Sequence, residues 1–283
     1  MACSFSTNLH ALRGFLAIGC AALSLSVSTA AFAGQVEFVN NGSFETTTAT
    51  GSTLLQSGTH ALSGWTVGAG SGNGYTFLAF PGTAGTSING SNGIRLWDKG
   101  NGGLNTIPTS SPDGGKFIVS DGAYQLTTLY QTLTGLSVGH LYQLRFYQAA
   151  GQQTGFTGNT TNQWQVSFGG SLTTVNSITL PNGQTYSGST QVVSGGDTRL
   201  SQVMSNTSKG FTGWSYQSMT FRATAQNQLL GFLALGGPLG QPPFSLLDGI
   251  SLTEQLPEPG SLALVFLGMG AAGLMRQRRL KRA

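Results

Sequence analysis

Residues 34–255 contain no long segment with the 3.6-residue periodicity of an amphipathic helix. Short runs of alternating or β-branched residues are separated instead by Gly, Asn, Ser and Pro, and the chain holds 43 glycines. Apolar runs broken in this way are typical of strands joined by turns. The pattern predicts an all-β body, a single antiparallel jelly-roll β-sandwich that spans residues 34–255.

The predicted strands share short apolar or alternating runs that end at turn residues. In the clearest one, residues 140–149, Tyr142, Leu144 and Phe146 alternate with more polar neighbours, as in a strand with one buried face. The others are residues 35–39, 116–120, 126–133, 163–168, 190–193, 215–223, 229–235 and 247–253. The Gly- and Asn-rich residues 68–113 are expected to be mostly loop, with patterned runs only at residues 75–80 and 93–97.

The N-terminal 33 residues have the features of a secretory signal peptide. Arg13 precedes an apolar run over residues 15–27, and Ala31-Phe32-Ala33 places small residues at the two positions that a signal peptidase recognises. We therefore expect residues 1–33 to be removed by cleavage after Ala33. A lipoprotein signal at Cys20 is the alternative, although Ala17 stands where a larger aliphatic residue is usual.

The C-terminal residues 256–283 combine three features in a fixed order. Pro257, Glu258 and Pro259 precede an apolar stretch over residues 261–275, and a basic cluster follows at residues 276–282. Fifteen helical residues cover about 22 Å, less than the ~30 Å of a bilayer core, so such a span is weak as a permanent anchor. The positive-inside rule keeps the arginines in the cytoplasm and the body outside.

This C-terminal segment resembles the PEP-CTERM sorting signal. The resemblance implies that the apolar span is a transmembrane helix held briefly in the inner membrane. It also implies that an exosortase cuts near Pro257, Glu258 and Pro259 and passes the protein to the cell surface or the medium. A plain tail anchor is the alternative, in which the Pro-Glu-Pro sequence would be incidental.

Charge argues against nucleic-acid binding by the body, and cysteine usage argues against disulfides and Cys-ligated metal sites. Charged residues make up 8% of the chain, against about 25% in an ordinary soluble domain. Residues 34–259 hold seven basic and nine acidic side chains, so the body has no basic patch that could neutralise a nucleic-acid backbone. Both cysteines, Cys3 and Cys20, lie in the predicted signal peptide, which leaves the body without a disulfide framework or a Cys-ligated metal.

Several motifs of the body resemble the galactose-binding-type jelly rolls of carbohydrate-binding modules. The motifs are Asn41-Gly42-Ser43-Phe44-Glu45, Gly64-Trp65, Tyr130-Gln131-Thr132-Leu133 and the segment 246–252. The resemblance implies a jelly-roll fold in which the first and last strands lie side by side.

In that arrangement the carboxylates of Glu45 and Asp248 could converge on a structural calcium ion. Backbone carbonyls and waters would supply the remaining oxygens, since calcium takes six to eight. Gly249 stands where such modules usually have a second acid. The alternative is that Glu45 caps a turn and Asp248 accepts from loop amides. Other acids that precede Gly, such as Asp113 and Asp121, are interpreted as turn residues.

The four tryptophans are the candidate sugar platforms. Trp65 and Trp164 are assigned to the core, because a Trp in a small β-domain usually buries its large ring. Trp97, beside Asp98 and a Gly-rich run, is the best ligand-binding candidate, and Trp214 in a polar loop is the second.

Catalytic machinery is sparse in the sequence. After the signal peptide only His60 and His140 remain, and no Gly-x-Ser-x-Gly elbow or thiol is present. A glycosidase needs two facing carboxylates, and most acids of the body are interpreted as turn residues. We therefore predict a non-catalytic module for extracellular polysaccharide. The alternatives are a structural or adhesive component of the biofilm matrix and, behind it, a secreted hydrolase.

Overall fold

The computed structural model describes residues 35–58, 61–90 and 93–255. The predicted signal peptide and the PEP-CTERM-like segment, including Pro257, Glu258 and Pro259, lie outside these ranges. Within them, no helix is both long enough and apolar enough to cross a membrane.

The described residues form fourteen strands and one short 3-10 helix, Lys99–Asn101. In chain order the strands are β1 Thr53–Leu54, β2 Thr66–Val67, β3 Thr76–Ala79, β4 Phe117–Asp121, β5 Thr128–Leu133, β6 Leu141–Gln152, β7 Thr160–Phe168, β8 Ser171–Thr179, β9 Thr185–Ser194, β10 Asp197–Leu200, β11 Met204–Asn206, β12 Phe211–Arg222, β13 Gln228–Gly237 and β14 Pro243–Glu254.

Twelve of these strands make two sheets, which confirms the predicted all-β sandwich class. The first sheet has the order β1-β3-β4-β14-β6-β12, and the second has the order β10-β7-β13-β5-β2 with β11 also paired to β7. Strands β8 and β9 form a separate two-stranded sheet. Each of these neighbouring pairs is antiparallel. Two antiparallel sheets that share one core are the architecture of a β-sandwich, of which the jelly roll is one form.

The main core lies between the two sheets and is rich in aromatic rings. Tyr142 and Phe146 of β6 are buried, as the alternation predicts, and the Phe146 ring lies 5.4 Å from that of Phe232 on the second sheet. Trp164 is also buried, as predicted, and its Nε1 donates to the carbonyl of Leu246 across the core at 3.1 Å. That bond satisfies the polar atom of a ring that contributes most through its apolar area.

The outer face of the first sheet is covered by the long loop between β3 and β4. Phe77, Phe117 and Phe244 form a second buried cluster with apolar side chains that the loop lays over them. Leu96 is one of these side chains. It packs closely on β6, since a Cβ at Gly151 would lie 2.9 Å from the Leu96 Cδ1. Residues 93–97, which looked patterned in the sequence, form only a single bridge, between Leu96 and Gln153.

Candidate ligand-binding site

A cavity of about 290 Å³ opens at one end of the sandwich, where the segments after β4 and β6 meet the one before β14. We call it the loop-end pocket. It is lined by aromatic rings, one carboxyl, one amide and small residues: Tyr75, Asp121, Ala123, Tyr124, Gln153, Phe156, Gly240 and Pro242.

Asp121 is the last residue of β4 and forms part of the pocket wall. Its side chain is 1% exposed, and its Oδ1 accepts from the amides of Ala123 at 2.8 Å and Tyr124 at 3.1 Å. Its Oδ2 is buried and has no hydrogen-bond partner among the described residues. Burial raises the pKa of Asp121 to about 8, although the hydrogen bonds from the two backbone amides lower it. The carboxyl is therefore mostly protonated at neutral pH.

The backbone around Gly122 fixes the position of this carboxyl. The Gly122 amide donates to the Pro243 carbonyl at 2.8 Å, and its own carbonyl accepts from the Gly236 amide at 2.8 Å. A Cβ at Gly122 would lie 2.5 Å from the Gly236 nitrogen, closer than real Cβ contacts allow. The turn that holds Asp121 is thus clamped between the end of β13 and the start of β14.

Three aromatic residues, Tyr75, Tyr124 and Phe156, line the pocket together with Asp121. Tyr75 and Tyr124 meet edge to face with centroids 5.1 Å apart, and Tyr75 also packs edge to face on Phe77 at 5.1 Å. Tyr124 is 51% exposed and Phe156 is 37% exposed, so both rings present area to solvent. Burial raises the pKa of the Tyr75 phenol, with smaller contributions in the same direction from Tyr124 and Asp121.

Trp97, the first candidate from the sequence, supports the loop that carries Phe156. Its Nε1 donates to the Phe156 carbonyl at 2.7 Å, and the Lys209 ammonium lies 5.0 Å from its ring centroid. The neighbouring Arg95 carbonyl accepts from the Thr154 amide at 2.9 Å, which ties the same loop a second time. Trp97 is half-buried, and it does not line the pocket.

Asp98 and Trp214 also have structural contacts of their own. Asp98 caps the short 3-10 helix: its Oδ1 accepts from the Gly100 amide at 2.8 Å, and its Oδ2 accepts from the Ile107 amide at 2.7 Å. Trp214 lies in strand β12 and not in a polar loop as predicted; it packs edge to face against Phe117 at 5.5 Å, and its Nε1 is buried without a partner in the described part of the chain. Neither residue lines the loop-end pocket.

The two candidate calcium ligands are each bound to protein groups. Glu45 forms an ion pair with Lys116, Oε2 to Nζ at 2.8 Å, and its Oε1 accepts from the Lys116 amide. Asp248 is buried, and its Oδ2 accepts from the Ser111 hydroxyl. Its Oδ1 has no partner among the described residues.

The surroundings of Asp248 are acidic. Burial is the largest cause that raises the pKa of Asp248 to about 8; the Ser111 and Gly249 hydrogen bonds lower it, and the charges of Asp113 and Glu45 raise it. A Cβ at Gly249 would lie 3.0 Å from the Cβ of Asp113, so Asp113 lies beside the position where the resembled modules have their second acid. The orphaned Oδ1 and these acids suit a cation, yet no three His, Cys, Asp or Glu side chains of the described residues are grouped to hold a metal. Calcium stays a prediction.

A larger and more open cavity of about 720 Å³ lies against β2 and β5. Its lining is dominated by hydroxyl and amide side chains, with Thr46, Thr47 and Thr48 on one side. Trp65 contributes little ring surface to it, because this ring is 2% exposed and its Nε1 donates to the Asn41 carbonyl at 3.0 Å. The loop-end pocket is therefore the better candidate, since it joins exposed rings to a buried carboxyl.

The residues of the loop-end pocket were not predicted as site residues from the sequence. Asp121 was interpreted as a turn residue, and Tyr75, Tyr124 and Phe156 were not singled out. The one local signal is a Tyr three residues after Asp121 in the same turn. That signal is weak, because the pocket forms only when segments far apart in the chain meet.

Comparisons with known proteins give a fold likeness at low identity. No family model matches the chain, and no curated protein matches it. Among solved structures, the module TmCBM61 in complex with β-1,4-galactotriose is 11% identical, with 78% of this chain and 100% of that chain covered and a TM-score of 0.39. A structure described as CBM4 is 13% identical over 77% and 99% of the two chains, with a TM-score of 0.33. The CBM22-1 xylan-binding domain from Paenibacillus barcinonensis Xyn10C is 10% identical over 66% and 88%, with a TM-score of 0.26.

Proposed function

We propose that this protein is an exported, non-catalytic module that binds extracellular polysaccharide in its loop-end pocket. The observation that carries the proposal is the pairing of the exposed Tyr124 and Phe156 rings with the polar groups of Asp121 and Gln153. The C–H face of a sugar packs on an aromatic ring, while a few placed polar groups fix its hydroxyls. The weakly charged body suits a neutral or weakly charged polymer.

The size of the pocket limits what it can enclose. A volume of about 290 Å³ lies at the lower end of small-molecule sites, which span roughly 300–1,000 Å³. A site of this size suits one sugar residue, or the end of a chain, better than a long run of sugars. Recognition of a single unit fits a module that holds a repeating polymer at intervals.

A binding role is favoured over hydrolysis by the acids of the pocket. Glycosidases place two carboxyl groups on either side of the scissile bond. Among the described residues that line the loop-end pocket, Asp121 is the only acid. One carboxyl can orient a sugar but cannot serve as both of the groups that hydrolysis needs.

Export and sorting belong to the same proposal and are supported by the sequence at both ends. Signal peptidase would release the N-terminus at Gly34, and an exosortase would act near Pro257, Glu258 and Pro259 at the inner membrane. Intact mass of the protein recovered from the producing organism tests this. A mature form that begins at Gly34 and ends near Pro259 is expected, whereas an intact chain in the cytoplasm would contradict it.

A glycan array with protein expressed from the full chain tests the binding function. The array includes the exopolysaccharide of the producing organism. Tyr124→Ala is expected to weaken binding by about tenfold, because loss of an aromatic contact costs on the order of 1 kcal/mol. The matched control is Tyr216→Ala: Tyr216 is 52% exposed, as Tyr124 is at 51%, but it packs on Tyr147 on the first sheet.

The outcomes separate three cases. Loss of binding in Tyr124→Ala with normal binding in Tyr216→Ala supports the loop-end pocket. Loss in Tyr216→Ala alone would move the site to the open part of the first sheet. Absence of binding to every glycan would remove the function.

A structural or adhesive matrix role is the second candidate, and strand β8 favours it. This strand pairs with β9 alone among the described residues, and most of its Ser- and Thr-rich residues are exposed. An unpaired strand edge is a template for pairing with another chain. Concentration-dependent assembly in the absence of sugar, measured by light scattering, would support this role over glycan binding.

A further inference from the structure

The buried oxygen of Asp121 lacks a partner that the surrounding protein would be expected to supply. Buried side-chain polar atoms are nearly always hydrogen-bonded, and buried carboxylates are usually paired with a cation. The Oδ1 of Asp121 accepts two hydrogen bonds from backbone amides, and its Oδ2 accepts none among the described residues. Asp121 is one of the residues that line a cavity open to solvent, so a ligand in that cavity lies beside this carboxyl.

No cationic side chain of the described residues lines this pocket. The titratable groups that face Asp121 are the phenols of Tyr75, which precedes β3, and of Tyr124, from the turn after β4. The segment after β6 contributes Gln153 and Phe156, and the segment before β14 contributes Gly240 and Pro242, none of which titrates. The pocket therefore has one carboxyl and no cationic side chain that could balance its charge when it ionises.

The rings around this carboxyl suit a cation. An ammonium group within about 6 Å of an aromatic face is attracted by the ring, and the attraction is larger where water is excluded. Three rings and one buried carboxyl in the same small cavity combine this effect with a charge-assisted hydrogen bond. A sugar hydroxyl can bond to the protonated carboxyl, whereas only an ammonium group offsets the cost of ionising this buried acid, so the two kinds of ligand select different protonation states of Asp121.

We propose that the loop-end pocket binds the primary ammonium group of an amino-sugar residue, with Asp121 as the counter-ion and the Tyr75, Tyr124 and Phe156 rings around it. This inference rests on the proposed function and names the class of sugar. An N-acetylated sugar carries no such charge and is expected to bind more weakly. The polymer recognised would be a partly deacetylated amino-sugar polysaccharide.

Proton release distinguishes an ammonium ligand from a neutral one. The pKa of Asp121 is raised to about 8, so at pH 6 the free pocket holds a proton that must leave when an ammonium group pairs with the carboxylate. Affinity should therefore rise about tenfold for each pH unit between pH 5 and 7. A neutral sugar that bonds to the protonated carboxyl would release no proton.

Calorimetric titration of the protein expressed from the full chain tests the proposal with two matched ligands. They are a β-1,4-linked glucosamine tetramer and its fully N-acetylated counterpart, each titrated at pH 6 in two buffers with different heats of ionisation. We expect the free amine to bind at least tenfold more tightly, with about one proton released. Asp121→Asn should abolish both the preference and the proton release, because the amide keeps the shape of the carboxyl but cannot ionise.

Asp248→Asn is the matched control, since Asp248 is also buried, has the same raised pKa and does not line the pocket. It should keep the preference for the amine. Equal binding of both tetramers without proton release would overturn the inference and leave the proposed function standing. The same holds if the array finds only neutral glycans, whereas no glycan binding at all removes both. Choline binding as tight as that of the tetramer would overturn the assignment to an amino sugar.

Discussion

Asp121 and Asp248 are two buried carboxyls whose pKa is raised to about 8 mainly by burial, yet their surroundings differ. Asp121 has two backbone amides on one oxygen and an aromatic cavity beside it. Asp248 accepts from the Ser111 hydroxyl and is affected by the charges of two other acids, Glu45 and Asp113.

The difference shows that a raised pKa does not by itself identify a function. Burial costs each ionised carboxyl free energy, and either a proton or a cation can remove that cost. At Asp121 the cation would have to come from a ligand in the pocket, because no cationic side chain of the described residues lines that cavity. At Asp248 the neighbouring acids favour either the proton or a metal ion with several oxygen ligands.

The largest expected effect is a loss of stability as the pH rises. The unfolded chain has carboxyl pKa values near 3.8, so between about pH 4 and 8 the folded protein holds protons that the unfolded chain has released. Stability is therefore fully present below pH 4 and is lost as the pH rises through 8, on the order of a few kcal/mol for each carboxyl. Urea unfolding at pH 5 and pH 9 measures this difference.

Single and double replacements separate the two carboxyls. Asp121→Asn and Asp248→Asn should each reduce the pH dependence, and the double variant should reduce it most, because neither carboxyl is among the groups that shift the pKa of the other. A wild-type protein that is equally stable at both pH values would contradict the raised pKa values. If one variant alone removes the whole dependence, the other carboxyl ionises normally.

The second expected effect is stabilisation by calcium at Asp248 alone. At pH 9 Asp248 is largely ionised, and millimolar calcium should raise the melting temperature of the wild type by about 3 °C if roughly 1 kcal/mol of binding energy is gained. Asp121→Asn should keep the shift, whereas Asp248→Asn and Glu45→Gln should lose it. Thermal melts with calcium, magnesium or chelator measure it, and an equal shift in Asp248→Asn would place any bound calcium elsewhere.

The strands were predictable where apolar and polar residues alternate along the chain and the apolar ones are buried on one face of a sheet. Residues 140–149 were predicted from alternation alone, and β6 extends over Leu141–Gln152. Strand β8, Ser171–Thr179, was missed because it is mostly exposed and carries no apolar alternation, so no core selects its pattern. It exists because it pairs with β9, which packs Tyr186 and Val192 onto the second sheet.

The candidate site was much less predictable than the fold. Trp97 was chosen for its type and its Gly-rich surroundings, but its indole supports the loop of Phe156 rather than the pocket itself. Asp121-Gly122 has the local chemistry of a turn, and it does form one. What the sequence does not show is that β13 and β14 close over that turn and bury its carboxyl beside rings from distant segments.

The smallest expected effect comes from removing only the Tyr124 hydroxyl. This oxygen accepts from the Gln125 side chain at 3.0 Å, a contact outside the pocket lining, while the ring faces Tyr75 and the cavity. Tyr124→Phe should therefore leave the affinity for glycan within about twofold, although Tyr124→Ala weakens it about tenfold. Calorimetry on the two variants compares them. Equal losses would mean that the hydroxyl, rather than the ring, contacts the sugar, and the aromatic cavity would then no longer set Asp121 apart from Asp248 as a binding site.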